Sequence, residues 1–101
     1  NLFSFKIKAL EDHIHQIKRL LIPKKFPETA AILELPSSGS GRIYFRITFE
    51  NNTRPPVLAA FNDDVSENIA WYAFTQHFLS KGFRVPEIFA REDNYRYFLL
   101  E

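Results

Sequence analysis

The residues best equipped for chemistry lie in and just after one stretch, Leu35-Pro36-Ser37-Ser38-Gly39-Ser40-Gly41-Arg42. A loop of small residues leaves backbone N–H groups uncovered, and such groups can bind an anion such as phosphate. Arg42 and, four residues on, Arg46 offer guanidinium groups beside it. The same residues also make an ordinary flexible hairpin connection. The stretch is not a Walker loop, because the Gly-Lys-Ser/Thr ending is absent and a strand pattern follows instead of a helix. The same topology excludes a dinucleotide fingerprint. The second candidate is Glu67. At about 100° per residue on a helix it points the same way as Phe74 and close to Trp71 and Phe78. A carboxylate buried among such rings needs a partner. Two readings stand: Glu67 reaches back to the Asp64 N–H as a helix cap, or it pairs with a ligand-binding cation across a sheet.

Other reactive residue types explain themselves more simply. His13 and His15 stand two apart on a helix and diverge, so they cannot share a metal. His77 is isolated, and Asp63 and Asp64 suit a helix start. Lys24 and Lys25 read as a solvated pair. No Ser/His/Asp set has a spatial argument for a triad.

The elements that must position these residues follow from periodicity. Phe3, Ile7, Leu10, Ile14, Ile17 and Leu21 form one apolar stripe on a helix, with Ser4 as a candidate N-cap and Pro23 as its stop. Ile32–Leu35 reads as a short strand. Across residues 42–50, Ile43, Phe45, Ile47 and Phe49 alternate with Tyr44, Arg46, Thr48 and Glu50, which is a two-faced strand. Asn51-Asn52-Thr53-Arg54-Pro55 is turn chemistry. Val57–Phe61 is apolar throughout and therefore a central strand. Asp64 and Glu67 open a second helix as a capping box, and Lys81, Gly82 and Pro86 close it. Glu87–Ala90 and Tyr95–Leu100 complete the strands. The expected class is α+β: a roughly five-stranded, mostly antiparallel sheet with one packed helix plus an N-terminal helix.

Composition sets the outer bounds. The chain has 101 residues, 46% of them apolar and 25% charged, as in one ordinary globular domain. Eleven phenylalanines predict a core dominated by rings. A net charge of +1 gives no field for nucleic acid or a membrane surface. No apolar run approaches the ~20 residues of a membrane span. No signal peptide is visible, and a cytoplasmic location is the expectation. The absence of cysteine excludes disulfides, thiolate metal sites and a Cys nucleophile. A start at Asn1 and an end at Tyr97-Phe98-Leu99-Leu100-Glu101 read as a piece of a longer protein.

The order of these features resembles the small N-terminal lobe of the aminoglycoside-phosphotransferase-like kinases, in the branch that phosphorylates sugars. The carrying residues are Gly39-Ser40-Gly41-Arg42-Ile43-Tyr44-Phe45-Arg46-Ile47, then Gly82-Phe83-Arg84-Val85-Pro86-Glu87-Ile88, and the ending Leu99-Leu100-Glu101. The resemblance spans about residues 30–101 and leaves residues 1–29 as an N-terminal helix and connector. It implies a kinase-like small lobe in which Ser37–Arg42 (Ser37, Ser38, Gly39, Ser40, Gly41, Arg42) fold over the phosphates of ATP. It implies that Glu67 matches a helix glutamate that pairs with a lysine on the third strand. It also implies that Glu101 opens a hinge where backbone groups hold adenine. The substrate class it implies is a small hydroxylated molecule, an amino sugar.

Two departures shape that expectation. Val57-Leu58-Ala59-Ala60-Phe61 contains no lysine, and Ala60 stands nearest the family's lysine position. Phosphate charge then falls to Arg42 or Arg46. The catalytic Asp and the Mg²⁺ ligands of the family lie in a large lobe that has no counterpart here, so the 101 residues alone are expected to be inactive. The alternative is a non-catalytic pseudokinase or protein-interaction module that uses the apolar stripe Phe3–Leu21; a plain sheet domain with no nucleotide site is the third possibility. Loss of a partner lobe would expose aromatics around Tyr97–Leu100 and favour self-association.

Overall fold

A computed structural model of the chain describes residues 1–27, 30–37 and 41–101. Its elements are α1 (Leu2–Leu21), β1 (Ala31–Glu34), β2 (Ile43–Thr48), β3 (Val57–Phe61), α2 (Val65–Ser80), β4 (Ile88–Arg91) and β5 (Tyr97–Leu100). The strands form one sheet in the order β1-β2-β3-β5-β4, and each neighbouring pair is antiparallel. The class is α+β, and the wholly apolar β3 is the central strand.

The sheet has two unlike faces because side chains alternate along each strand. One row runs Phe45, Ala59, Leu99 across β2, β3 and β5, and the next row runs Tyr44, Ala60, Phe98. Phe45, Ile47, Ala59 and Leu99 are fully buried, and Ile17 of α1 joins them together with Leu21, Phe26, Val57 and Tyr97. This face is the main core, and α1 covers it. The Tyr44–Ala60–Phe98 face takes α2, whose Trp71 meets Phe98 edge-on with ring centroids 5.1 Å apart. The two helices therefore sandwich the sheet.

Local signals set the helix ends, with one correction. Ser4 does not cap α1: Asn1 does, its Oδ1 accepting from the Ser4 N–H at 2.9 Å. After Leu21 the chain tightens into a 3-10 turn, Ile22–Lys24, with Pro23 inside it. Asp64 caps α2, accepting from the Glu67 N–H at 3.0 Å. That bond and one from the Ser66 hydroxyl hold its carboxyl below the ordinary value. Gly82 follows the α2 end at φ +83, the left-handed conformation that a helix stop asks of glycine.

The apolar stripe of α1 is only half used. Ile17 and Leu21 are buried, but Phe3 is 73% exposed, and Leu2, Phe5, Ile7 and Leu10 are also exposed. The helix is longer than the sheet it rests on, so its first turns overhang. The expected exposure around Tyr97–Leu100 is not found: all four residues are buried, because β5 lies between β3 and β4. The exposed rings lie instead on α1 and on the outer side of α2, at Phe74, Phe78 and the following Phe83. No helix among the described residues is long and apolar enough to cross a membrane.

Candidate functional site

The β1–β2 hairpin is as its alternation requires. The two strands pair in register from Ala31↔Thr48 to Glu34↔Phe45, and the Leu35 N–H extends the pairing to the Tyr44 carbonyl at 2.8 Å. The connection between them carries the small-residue loop. Of that loop Ser37 and Gly41 are described, whereas Ser38, Gly39 and Ser40 lie outside the described residues. Ser37 and Gly41 are exposed. A Cβ placed on Gly41 would sit 3.7 Å from Asn62 Oδ1, an ordinary contact, so crowding does not demand glycine there.

Arg42 follows the loop directly and leads into β2. It shares the strand face of Tyr44, the face toward α2. Its Nη2 donates to Glu67 Oε1, forming an ion pair that ties the foot of the loop to the first turn of α2. The Arg42 side chain is 34% exposed and that of Glu67 50% exposed. Burial works against the Arg42 charge, but the Tyr44 side chain and the Glu67 carboxylate outweigh it, and its pKa is raised. The capping-box reading of Glu67 is thereby corrected. Its own N–H completes the Asp64 cap, but the Asp64 N–H goes to Asn62 Oδ1 at 3.2 Å and the Glu67 carboxylate goes to Arg42. Sequence offered both readings; Asn62 already supplies the acceptor that the cap needs, which leaves Glu67 to the cation. Glu67 is also not enclosed by rings, since Trp71 turns to the sheet while Phe74 and Phe78 turn outward.

Beside this pair a pocket of about 60 Å³ opens between the sheet and α2. Tyr44, Ala60, Asn68, Trp71 and Phe98 line it, and among the described residues Arg42 is the one charged side chain that does. Ala60 contributes only a methyl group, so this pocket forms where a longer residue on β3 would reach toward α2. Its volume suits a small polar group and falls far below the ~300 Å³ at which pockets hold a drug-sized ligand. Asn68 is a site residue that the periodicity did not single out. It is buried, and its Nδ2 donates to the Asn62 carbonyl at 2.7 Å and to the Tyr95 carbonyl at 2.8 Å. A weak helix former inside an otherwise apolar run, Asn68-Ile69-Ala70-Trp71, was the available signal.

Two predicted site residues stand apart from this group. Arg46 lies on the same strand face one pair of residues beyond Tyr44, is exposed, and forms no ion pair among the described residues. Glu101 is at the other end of the sheet. Its N–H donates to the Glu87 carbonyl at 2.9 Å and its Oε1 accepts from the Glu87 N–H at 3.3 Å. It lines a separate cleft with Phe26, Arg54, Val57 and Phe89. The five residues of β3 separate the Arg42 end from the Glu101 end, roughly 16 Å at ~3.3 Å per residue.

A pair as exposed as Arg42–Glu67 contributes about 0–1 kcal/mol to stability. Its interest is therefore its position, between the loop, the pocket and α2. No protein-family model, no curated protein and no solved structure matches the chain.

Proposed function

We propose that residues 30–101 are the nucleotide-binding small lobe of an ATP-dependent phosphotransferase acting on a small hydroxylated substrate, an amino sugar. The observation that carries this reading is the Arg42–Glu67 pair: a cation at the foot of a small-residue loop, held by a helix carboxylate on the sheet face that bears the pocket. In this reading the phosphates of ATP lie at residues 37–42, and the nucleoside runs along the sheet face toward Glu101, because the pocket is too small to take it. Among the described residues no group of three or more His, Asp or Glu side chains could hold a metal. In this reading a Mg²⁺ accompanying ATP takes its protein ligands, like the catalytic base, from a second lobe, as the family resemblance implies. These 101 residues alone bind ATP weakly or not at all and transfer no phosphate.

The test is a titration of Mg·ATP into the intact protein carrying Gly39→Val and Gly41→Val. Affinity and turnover both fall if the loop covers the phosphates; unchanged values reject the reading.

A second reading, a protein-interaction module, is favoured by the exposed Leu2, Phe3 and Phe5 on the overhanging turns of α1. It predicts concentration-dependent association that Phe3→Ser with Phe5→Ser abolishes in sedimentation velocity, with nucleotide binding absent.

A further inference from the structure

A cleft of about 480 Å³ opens at the Glu101 end of the sheet. It belongs to the α1 face, because its Phe26 and Val57 are members of the core that α1 covers. The nucleotide-binding reading uses the α2 face and leaves this cleft unassigned. Its volume lies in the ~300–1,000 Å³ range of small-ligand sites. The floor is aromatic: Phe26 meets Phe89 edge-on, with ring centroids 5.9 Å apart.

The charges around that floor are sorted by sign. On one side the Arg54 guanidinium lies over Phe26, 4.3 Å from the ring centroid, and Lys24 lines the cleft beside it. On the other side stand Glu87 and Glu101, tied together by the Glu101 N–H to the Glu87 carbonyl and the Glu87 N–H to Glu101 Oε1. Strand order keeps the two signs apart. Arg54 precedes β3, Glu101 follows β5 and Glu87 precedes β4, in a sheet that runs β3-β5-β4. Two strand spacings put β4 roughly 10 Å from β3. None of the four side chains forms an ion pair among the described residues. Arg54 spends its contact on a ring face, and two N–H donors of its fork match a carboxylate.

We infer that this cleft binds an apolar dipeptide as its zwitterion, with the carboxylate at Arg54 and Lys24 and the ammonium group at Glu87 and Glu101. Two cations facing two carboxylates match a ligand that carries one charge of each sign at opposite ends. An extended dipeptide spans about 7 Å, and a hydrogen bond adds about 3 Å at each end, which covers the distance from one wall to the other. A free amino acid carries both charges on one carbon and reaches one wall only. The apolar side chains of the dipeptide lie on Phe26 and Phe89.

The experiment is calorimetric titration of the intact protein with leucyl-phenylalanine and with three forms of it: N-acetylated, C-amidated and blocked at both ends. All four share one apolar body. The free dipeptide saturates with a dissociation constant on the order of 1 mM or tighter. Blocking either end weakens binding at least about threefold, as expected for partly exposed ion pairs. Arg54→Gln with Lys24→Gln removes the difference between the free dipeptide and its amide, and keeps the difference between the free dipeptide and its N-acetyl form. Glu87→Gln with Glu101→Gln does the reverse. A failure of the free dipeptide to saturate overturns the inference. Equal affinity for all four forms also overturns it, because it shows apolar adhesion without charge readout. So does an Arg54→Gln, Lys24→Gln variant that still separates acid from amide. No arm uses nucleotide, so each of these failures leaves the nucleotide reading where it stood.

Discussion

His13 on α1 and Tyr97 on β5 share a hydrogen bond of 2.7 Å between Nδ1 and the phenol oxygen, joining residues 84 positions apart. The imidazole also lies 4.5 Å from the Phe61 ring and 5.5 Å from the Phe45 ring, centroid to centroid. This contact seals α1 onto the sheet, and it makes the docking sensitive to pH at both extremes.

Burial lowers the pKa of His13, against the opposing pull of Glu34, Asp63 and Asp12. The unfolded chain then binds a proton near pH 6.5 that the folded chain still refuses, so stability falls as pH drops below that value. Burial, aided by the negative charges of Glu92, Asp63 and Asp12, pushes the Tyr97 phenol up to about 12. Between about pH 10 and 12 the unfolded state loses a proton that the folded state keeps, so stability falls again as pH rises. Urea midpoints measured from pH 5 to 11 should decline at each end, and His13→Phe should flatten the acid limb alone.

Asn68 holds α2 to the sheet connections through two carbonyls. Replacing it with Leu leaves those buried acceptors unpaired, at about 1–3 kcal/mol each. Chemical denaturation of Asn68→Leu should show a loss on the order of 2–4 kcal/mol. A loss below 0.5 kcal/mol, on the order of a neutral surface change, would remove Asn68 from the framework.

The two ends of α1 should respond in opposite ways. Ile17 is fully buried, so Ile17→Ala should destabilise by about 2–5 kcal/mol. Phe3 touches little, and Phe3→Ser should stay within about 0.5 kcal/mol while improving solubility. The comparison is one denaturation series with light scattering on the same samples.

Gly41 and Gly82 should also separate. An alanine Cβ at Gly41 meets only an ordinary contact, so Gly41→Ala should fold with an unchanged melting temperature. Gly82 stands at φ +83, where an L side chain costs about 1–2 kcal/mol. Gly82→Ala should melt several degrees lower, on the order of 4–8 °C per kcal/mol for a domain of this size.

Much of this architecture is written locally. The alternation from Ile43 to Phe49 yields β2 and its two faces, the uniformly apolar Val57–Phe61 yields the middle strand, and Asp64 and Gly82 bracket α2. What local pattern does not carry is which partner a side chain chooses. Glu67 had two acceptable roles three residues after Asp64, and only the folded position of Asn62 decides between them. The stripe from Phe3 to Leu21 has one period throughout, yet periodicity cannot tell where the sheet beneath it stops. Exposure is expected at Tyr97–Leu100 because sequence order hides that β5 enters between two strands that precede it.

That insertion has a consequence for how the chain is made. When the chain is free to fold only as far as Arg91, β3 still has one open edge and β4 has no neighbour to pair with. Both wait for residues 97–100, and the tight turn before them is what brings β5 back. The sheet therefore closes when β5 enters it, and a chain free to fold only as far as Arg96 would hold β1–β3 as a three-stranded intermediate with β4 unpaired, the form most exposed to misassociation.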